Sequence, residues 1–155
     1  MSEALDNASA VIETAQQVVD SGVARLAEGG IDDQQVLAYD VAHAAAAVQS
    51  SRGLLAYGAL GDVESKLTCA FVADAVADLA GKLYGRELEW GVEPDALDTA
   101  RSFVSTYRDP AFLASLSGED GPRHLDDDFE MVQDTFRRFA DEKLKPVAEH
   151  LHRHN

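Results

Sequence analysis

Apolar positions recur at three- and four-residue steps along nearly the whole chain, a period that predicts helices. Leu5, Ala8, Ile12, Ala15, Val19, Val23 and Leu26 mark one face of a first helix over about Glu3 to Glu28. Gly29-Gly30 stops it. The second helix is expected to open at Asp32 or Asp33, because an acidic side chain caps well and favours the positive end of the helix dipole. Leu37, Val41, Ala44, Val48 and Leu55 form its face, and the run Ala44 to Ala47 lets a neighbour approach closely. Gly58 and Gly61 close it. The third helix opens at Asp62, with Leu67, Phe71, Val72, Val76, Leu79 and Leu83 covering more than one face. Apolar residues on several faces imply a central position in a bundle.

Gly85 is a terminator, and Arg86 to Gly91 reads as a short connection holding the only tryptophan, Trp90. A fourth helix is expected from around Pro94, a residue favoured at the first helical position. Its core face is Leu97, Ala100, Phe103, Val104 and Tyr107. Asp109-Pro110 breaks it, and Phe112, Leu113 and Leu116 suggest another turn or two. Ser117-Gly118-Glu119-Asp120-Gly121-Pro122 is the strongest linker signal. Past it, a long helix is expected from about Asp126 to Arg153, with a stripe of Phe129, Val132, Phe136, Phe139, Leu144 and Val147. Little in the rest of the chain could cover that stripe. Pro146 should kink or interrupt this helix. The pattern therefore predicts an all-α, up-down helical bundle over residues 1–116, a linker over 117–124, and one long helix within 125–155. No fixed-period repeat is present.

Composition supports that class. Hydrophobic residues make up 46% of the 155, alanine is abundant, and strand-forming runs are scarce. The net charge of −15 argues against binding nucleic acid, which needs a basic footprint, and against attraction to an anionic membrane. It fits a solvated acidic surface or, less simply, a docking face for a basic partner. One cysteine, Cys69, allows no intramolecular disulfide. The N-terminus lacks the basic and apolar regions of a signal peptide. No run approaches the roughly 18 apolar residues of a membrane span. A cytoplasmic location is the default expectation.

Candidate chemistry is sparse. Cys69, between Leu67 and Phe71, reads as a small core residue with no activating base beside it. His150, His152 and His154 alternate at the end of the chain. Only His150 and His154 share a helix face, and no acid or thiolate joins them. His43 is expected to be a partly buried structural histidine, and His124 to belong to the entry of the last helix. Asp126, Asp127, Asp128 and Glu130 are explained by capping. Asp74 and Asp78 should face solvent, with Lys66 and Lys82 pairing with Asp62 and Asp78 four residues away. No Walker loop, GxGxxG, GxSxG, HExxH or paired CxxC occurs. No catalytic, cofactor-binding or metal-ligating residue is assigned.

The stretch Asp128 to His150 resembles the first helix of flavin-dependent acyl-CoA dehydrogenases. The carrying features are the Phe136 and Phe139 pair, the run Phe139-Ala140-Asp141-Glu142-Lys143-Leu144, and Pro146-Val147-Ala148 after it. The resemblance covers about the last thirty residues. A second echo, over Val36 to Gly85, is similar to the C-terminal helical bundle of the same enzymes. It departs where their Gly-Gly-x-Gly-Tyr-type segment would stand, since the chain reads Gly81-Lys82-Leu83-Tyr84-Gly85-Arg86. No flavin contact is carried onto those positions.

The resemblance implies a helical extension followed by the start of the dehydrogenase N-terminal domain, with the catalytic glutamate, flavin and acyl-CoA segments beyond Asn155. The whole enzyme would desaturate an acyl thioester between its α and β carbons and pass a hydride to FAD. The expected partner is the rest of that polypeptide or a second copy of the chain. The alternative is a non-catalytic helical interaction or dimerisation module.

Overall fold

A computed structural model describes residues 2–119 and 121–154. Helices dominate, and there is no strand among the described residues. The chain divides into two compact units, 1–121 and 122–155.

Three long antiparallel helices build the first unit: α1 (Glu3–Gly29), α2 (Gln35–Gly58) and α3 (Asp62–Leu83). Short connections leave consecutive helices no choice but to lie side by side, and each of the three packs against the other two. Ser2 Oγ accepts from the Leu5 N–H to start α1. Gly30, at a φ of 82°, ends it by returning its N–H to Leu26 O at 2.9 Å. The buried face of α1 is Leu5, Ala8, Val11, Ile12, Ala15, Val18, Val19 and Gly22.

The expected position Val23 is exposed, because Gly22 is the residue that turns inward. A side-chain methyl at Gly22 would stand 2.7 Å from Val41 Cγ2 and 2.9 Å from Trp90 Cε3. The missing side chain is the seat of the indole.

The structure corrects several starts and faces. α2 begins at Gln35 rather than at Asp32 or Asp33, which lie in the turn before it, and Gln34 at its start makes no side-chain cap. On α3, Leu67 and Phe71 are exposed. The inner face of that helix instead includes Thr68 and Cys69, with Val72, Ala73, Val76 and Leu79. Thr68 is buried with its hydroxyl donating to Leu54 O at 3.1 Å. A methyl at Gly58 would meet both Leu5 Cδ2 and Thr68 Oγ1 at 2.8 Å, so α2 closes tightly onto both neighbours.

The segment read as a plain connection contains a helical turn, α4 (Glu87–Trp90). Gly91, at a φ of 72°, ends the turn. Trp90 is fully buried. An indole removes about 150–250 Å² from water, which at ~25 cal/mol per Å² is several kcal/mol. Its Nε1–H finds no acceptor among the described residues, which offsets about 1–3 kcal/mol of that gain.

The helix expected from around Pro94 also starts later. Pro94 lies in a turn, a 3₁₀ turn spans Asp98–Ala100, and α5 covers Arg101–Tyr107. Asp109 caps α6 (Pro110–Ser115) by accepting from Ala111 N and Phe112 N at 2.9 and 3.0 Å. Phe103, Tyr107 and Phe112 stack in series at 4.5 and 5.2 Å and tie α6 to α5.

The second unit is one helical rod: α7 (Asp127–Phe139), a π-helical turn over Ala140–Leu144, and α8 (Lys145–His154). Asp126 caps it by accepting from Phe129 N at 3.0 Å, and Arg123 Nη1 folds back to Gln133 Oε1 at 2.7 Å. Pro146 neither breaks nor ends the rod. It lacks an N–H, and its ring would strike the carbonyl four residues earlier. The preceding turn widens instead, with the Lys145 N–H reaching Ala140 O, the usual form of a one-turn π-bulge.

Candidate functional site

A half-open groove of about 510 Å³ lies on the first unit. Val76, Ala80 and Leu83 of α3 and Leu97 and Val104 from the later segment make an apolar floor. Glu87, Glu93 and Asp98 stand on its rim with Arg101. The rim groups are largely engaged with one another and the backbone. Arg101 Nη2 donates to Asp98 Oδ1 at 2.6 Å, and Glu87 Oε1 accepts from Gly85 N at 3.0 Å. Tyr84 on its wall is 88% exposed. No cysteine, serine or histidine lines the groove, so no nucleophile is paired with a base there.

Cys69 lies in the core as expected. Its thiol donates weakly to Ala4 O at 3.8 Å. Burial pushes the thiol up from its ordinary range, against a smaller opposing effect of the Tyr107 hydroxyl. A thiol so placed is a poor nucleophile. Asp78 pairs with Lys82, as the four-residue spacing suggests. Lys66, however, binds Glu119 rather than Asp62, and Asp74 binds Arg108 at 2.8 Å. His43 is exposed, a correction to the expected partial burial; it lies against the Tyr39 ring at 4.3 Å. On α8, His150 and His154 stack at 4.3 Å, and the ring Nδ1 of His154 lies 3.0 Å from His150 O. No group of three metal-ligating side chains occurs among the described residues. His124 takes a positive φ of 53° just ahead of α7.

Two constellations have no clear mark in the sequence. Arg86 joins α2 to α4, donating from Nη1 to Asp40 Oδ2 at 2.7 Å and from Nε and Nη2 to Glu89 at 2.7 and 3.1 Å. The Arg86 fork holds the Glu89 carboxyl below the usual carboxylate range. Nothing local signals the Asp40 partner, 46 residues away. Glu64 is the second, a carboxylate only 1% exposed near the start of α3. The signal available for it was a glycine three positions earlier, at Gly61.

The groove is poorly matched to a flavin dinucleotide. Its pyrophosphate needs backbone N–H groups at a helix N-terminus or a basic cradle. Of the glycines with positive φ, at positions 30, 85, 91 and 118, Gly85 alone stands beside a helix start, just before the Arg86 cap of α4, and its N–H is taken by Glu87; the groove rim is mainly acidic.

The apolar stripe on α7 and α8 remains. Phe129, Val132, Phe136, Phe139, Leu144, Val147 and Leu151 are all exposed, Phe136 at 69%. No described helix is long and apolar enough to cross a membrane.

No family model and no solved structure matches the chain. Among curated proteins it is similar to a (2S)-methylsuccinyl-CoA dehydrogenase of Cereibacter sphaeroides, with 25% identity over 177 residues. The alignment covers 97% of this chain and 32% of that relative, so the chain spans about a third of the relative's length. What this supports is an acyl-CoA dehydrogenase-like relationship.

Proposed function

We propose that the chain is the N-terminal portion of an FAD-dependent acyl-CoA dehydrogenase-like oxidoreductase, a helical extension followed by the first helix of the dehydrogenase N-terminal domain. The carrying observation is the similarity over 97% of the chain to a protein about three times as long. The exposed stripe on α7 and α8 supports the same reading. It carries the phenylalanine and proline spacing by which this stretch resembles the first helix of acyl-CoA dehydrogenases, and seven exposed apolar side chains gain most from burial in a larger fold.

In this reading the extension contributes packing and subunit contact. Flavin and acyl thioester are bound, and the thioester desaturated, by other parts of the enzyme. FAD titration of the purified chain, followed by flavin fluorescence, tests it. The expected result is no saturable binding, and stoichiometric flavin would overturn the division of labour. The reading itself stands or falls on the coding sequence past Asn155: a β-domain in frame or in the adjacent gene is expected, and its absence from both would remove the proposal.

A second reading, a non-catalytic interaction module, draws on the same exposed stripe. Size exclusion separates it, because a docking module would self-associate or bind a partner with no dehydrogenase segment encoded nearby.

A further inference from the structure

The start of the linker is tied down. Lys66 Nζ, in the first turns of α3, donates to both carboxylate oxygens of Glu119, at 2.6 and 2.9 Å. The Glu119 N–H returns to Leu116 O at 3.3 Å. Gly121 lies directly on Glu64: a methyl there would stand 2.9 Å from Glu64 Oε1 and 3.5 Å from Val63 Cγ1. The other side of the same carboxylate lies against Gly61, where any side chain would collide with it. Glu64 is thus held between two residues without side chains, one starting α3 and one in the linker.

We infer that Lys66 and Glu64 fasten the linker as a strap across the N-terminal end of α3. The strap then ends at Gly121, so the breaker-rich run from Ser117 is not free over its whole length. The strap uses residues of the bundle alone and does not depend on the dehydrogenase reading.

Each fastening is modest by itself. The Lys66 and Glu119 side chains are 40% and 30% exposed, and pairs of that kind contribute little and weaken with salt. The strap should therefore open locally, without unfolding the bundle. Amide hydrogen exchange on the 155-residue protein reads this directly, following the segment from Leu116 to Arg123 against α3. In the wild type the segment should exchange more slowly than an unstructured peptide of the same sequence. Lys66→Met should speed it about five-fold, the scale of a partly exposed ion pair, with protection of α3 unchanged. Gly121→Val should do the same by lifting the linker off Glu64, and it alters no helix, so it decides the matter if Lys66→Met disturbs α3. Exchange of the wild-type segment at the free-peptide rate, or no acceleration in Gly121→Val, would overturn the strap.

Discussion

Gly22 and Gly53 both stand inside long helices, where glycine costs about 0.5–1 kcal/mol relative to alanine. A methyl placed on Gly53 would meet nothing within 4 Å, whereas at Gly22 the Trp90 ring and Val41 occupy that space. Gly53→Ala should therefore stabilise the bundle by about 0.5–1 kcal/mol. Gly22→Ala should destabilise it by about 1–2 kcal/mol, since overpacking a closed core outweighs the gain in helix propensity. Urea unfolding followed by Trp90 fluorescence measures both, and equal signs for the two would refute the assignment of Gly22 as the indole's seat. Cys69 carries a pH signature at the same scale. Its folded pKa is raised above the ordinary value of 9.0 by burial. Its contribution is thus complete below that value and declines as pH rises through it, because the unfolded chain releases a proton that the folded chain keeps. Stability should fall as pH rises past the ordinary value of 9.0, and Cys69→Ala should flatten the slope. Tyr107, raised in the same direction by its own burial, leaves a residual slope at the alkaline end.

At the scale of elements, the three long helices follow the three-and-four spacing closely, while the short ones depart from it. α4 exists because Trp90 enters the core and Gly91 permits the left-handed exit, a tertiary gain that a four-residue stretch could not show by periodicity. The late start of α5 has the same origin: Ala100 and Phe103 are buried, and the chain from Pro94 to Ala100 is spent reaching that position as turns. On the last helix the determinant is local. Pro146→Ala restores an N–H and removes the ring clash, so the π turn over Ala140–Leu144 should revert to an α-helix. Helical ellipticity should rise and the amides from Ala140 to Leu144 should exchange more slowly, within the ~3 kcal/mol that an interior proline costs. An unchanged exchange pattern would mean that Pro146 does not cause the bulge.

For the whole molecule, the two units differ in what holds them. The bundle has a closed core from Leu5 to Phe103. The rod has no buried residue in α7 or α8 and depends on capping, ion pairs such as Arg153–Glu149 at 2.7 Å, and propensity, which alone leave an isolated helix marginal in water. Phe136→Asp should leave the Trp90-monitored unfolding of the bundle within about 0.5 kcal/mol of wild type. Trp90→Phe, by contrast, removes part of the core and should cost more than that, read by helical ellipticity because the fluorescent probe is gone. A large effect of Phe136→Asp on the bundle would show that the stripe is already used within this chain.

The sequence by itself determined the all-α class, the extents of α1 and α3 to within a residue or two, the cap at Asp126 and the exposed stripe on the last helix. These depend on spacing and on contacts within one turn, which the order of residues records directly. Only the tertiary structure decided that Trp90 is a core residue, that Gly22 rather than Val23 faces inward, that His43 is exposed, and that Lys66 reaches Glu119 instead of Asp62. Each of these depends on residues far apart in the chain, and the choice among partners is made by which surfaces the packed helices bring together. The candidate site followed the same division. That no recognised catalytic motif is present was readable from residue types and spacing, whereas the groove and the strap on α3 arise from packing between segments that the sequence keeps apart.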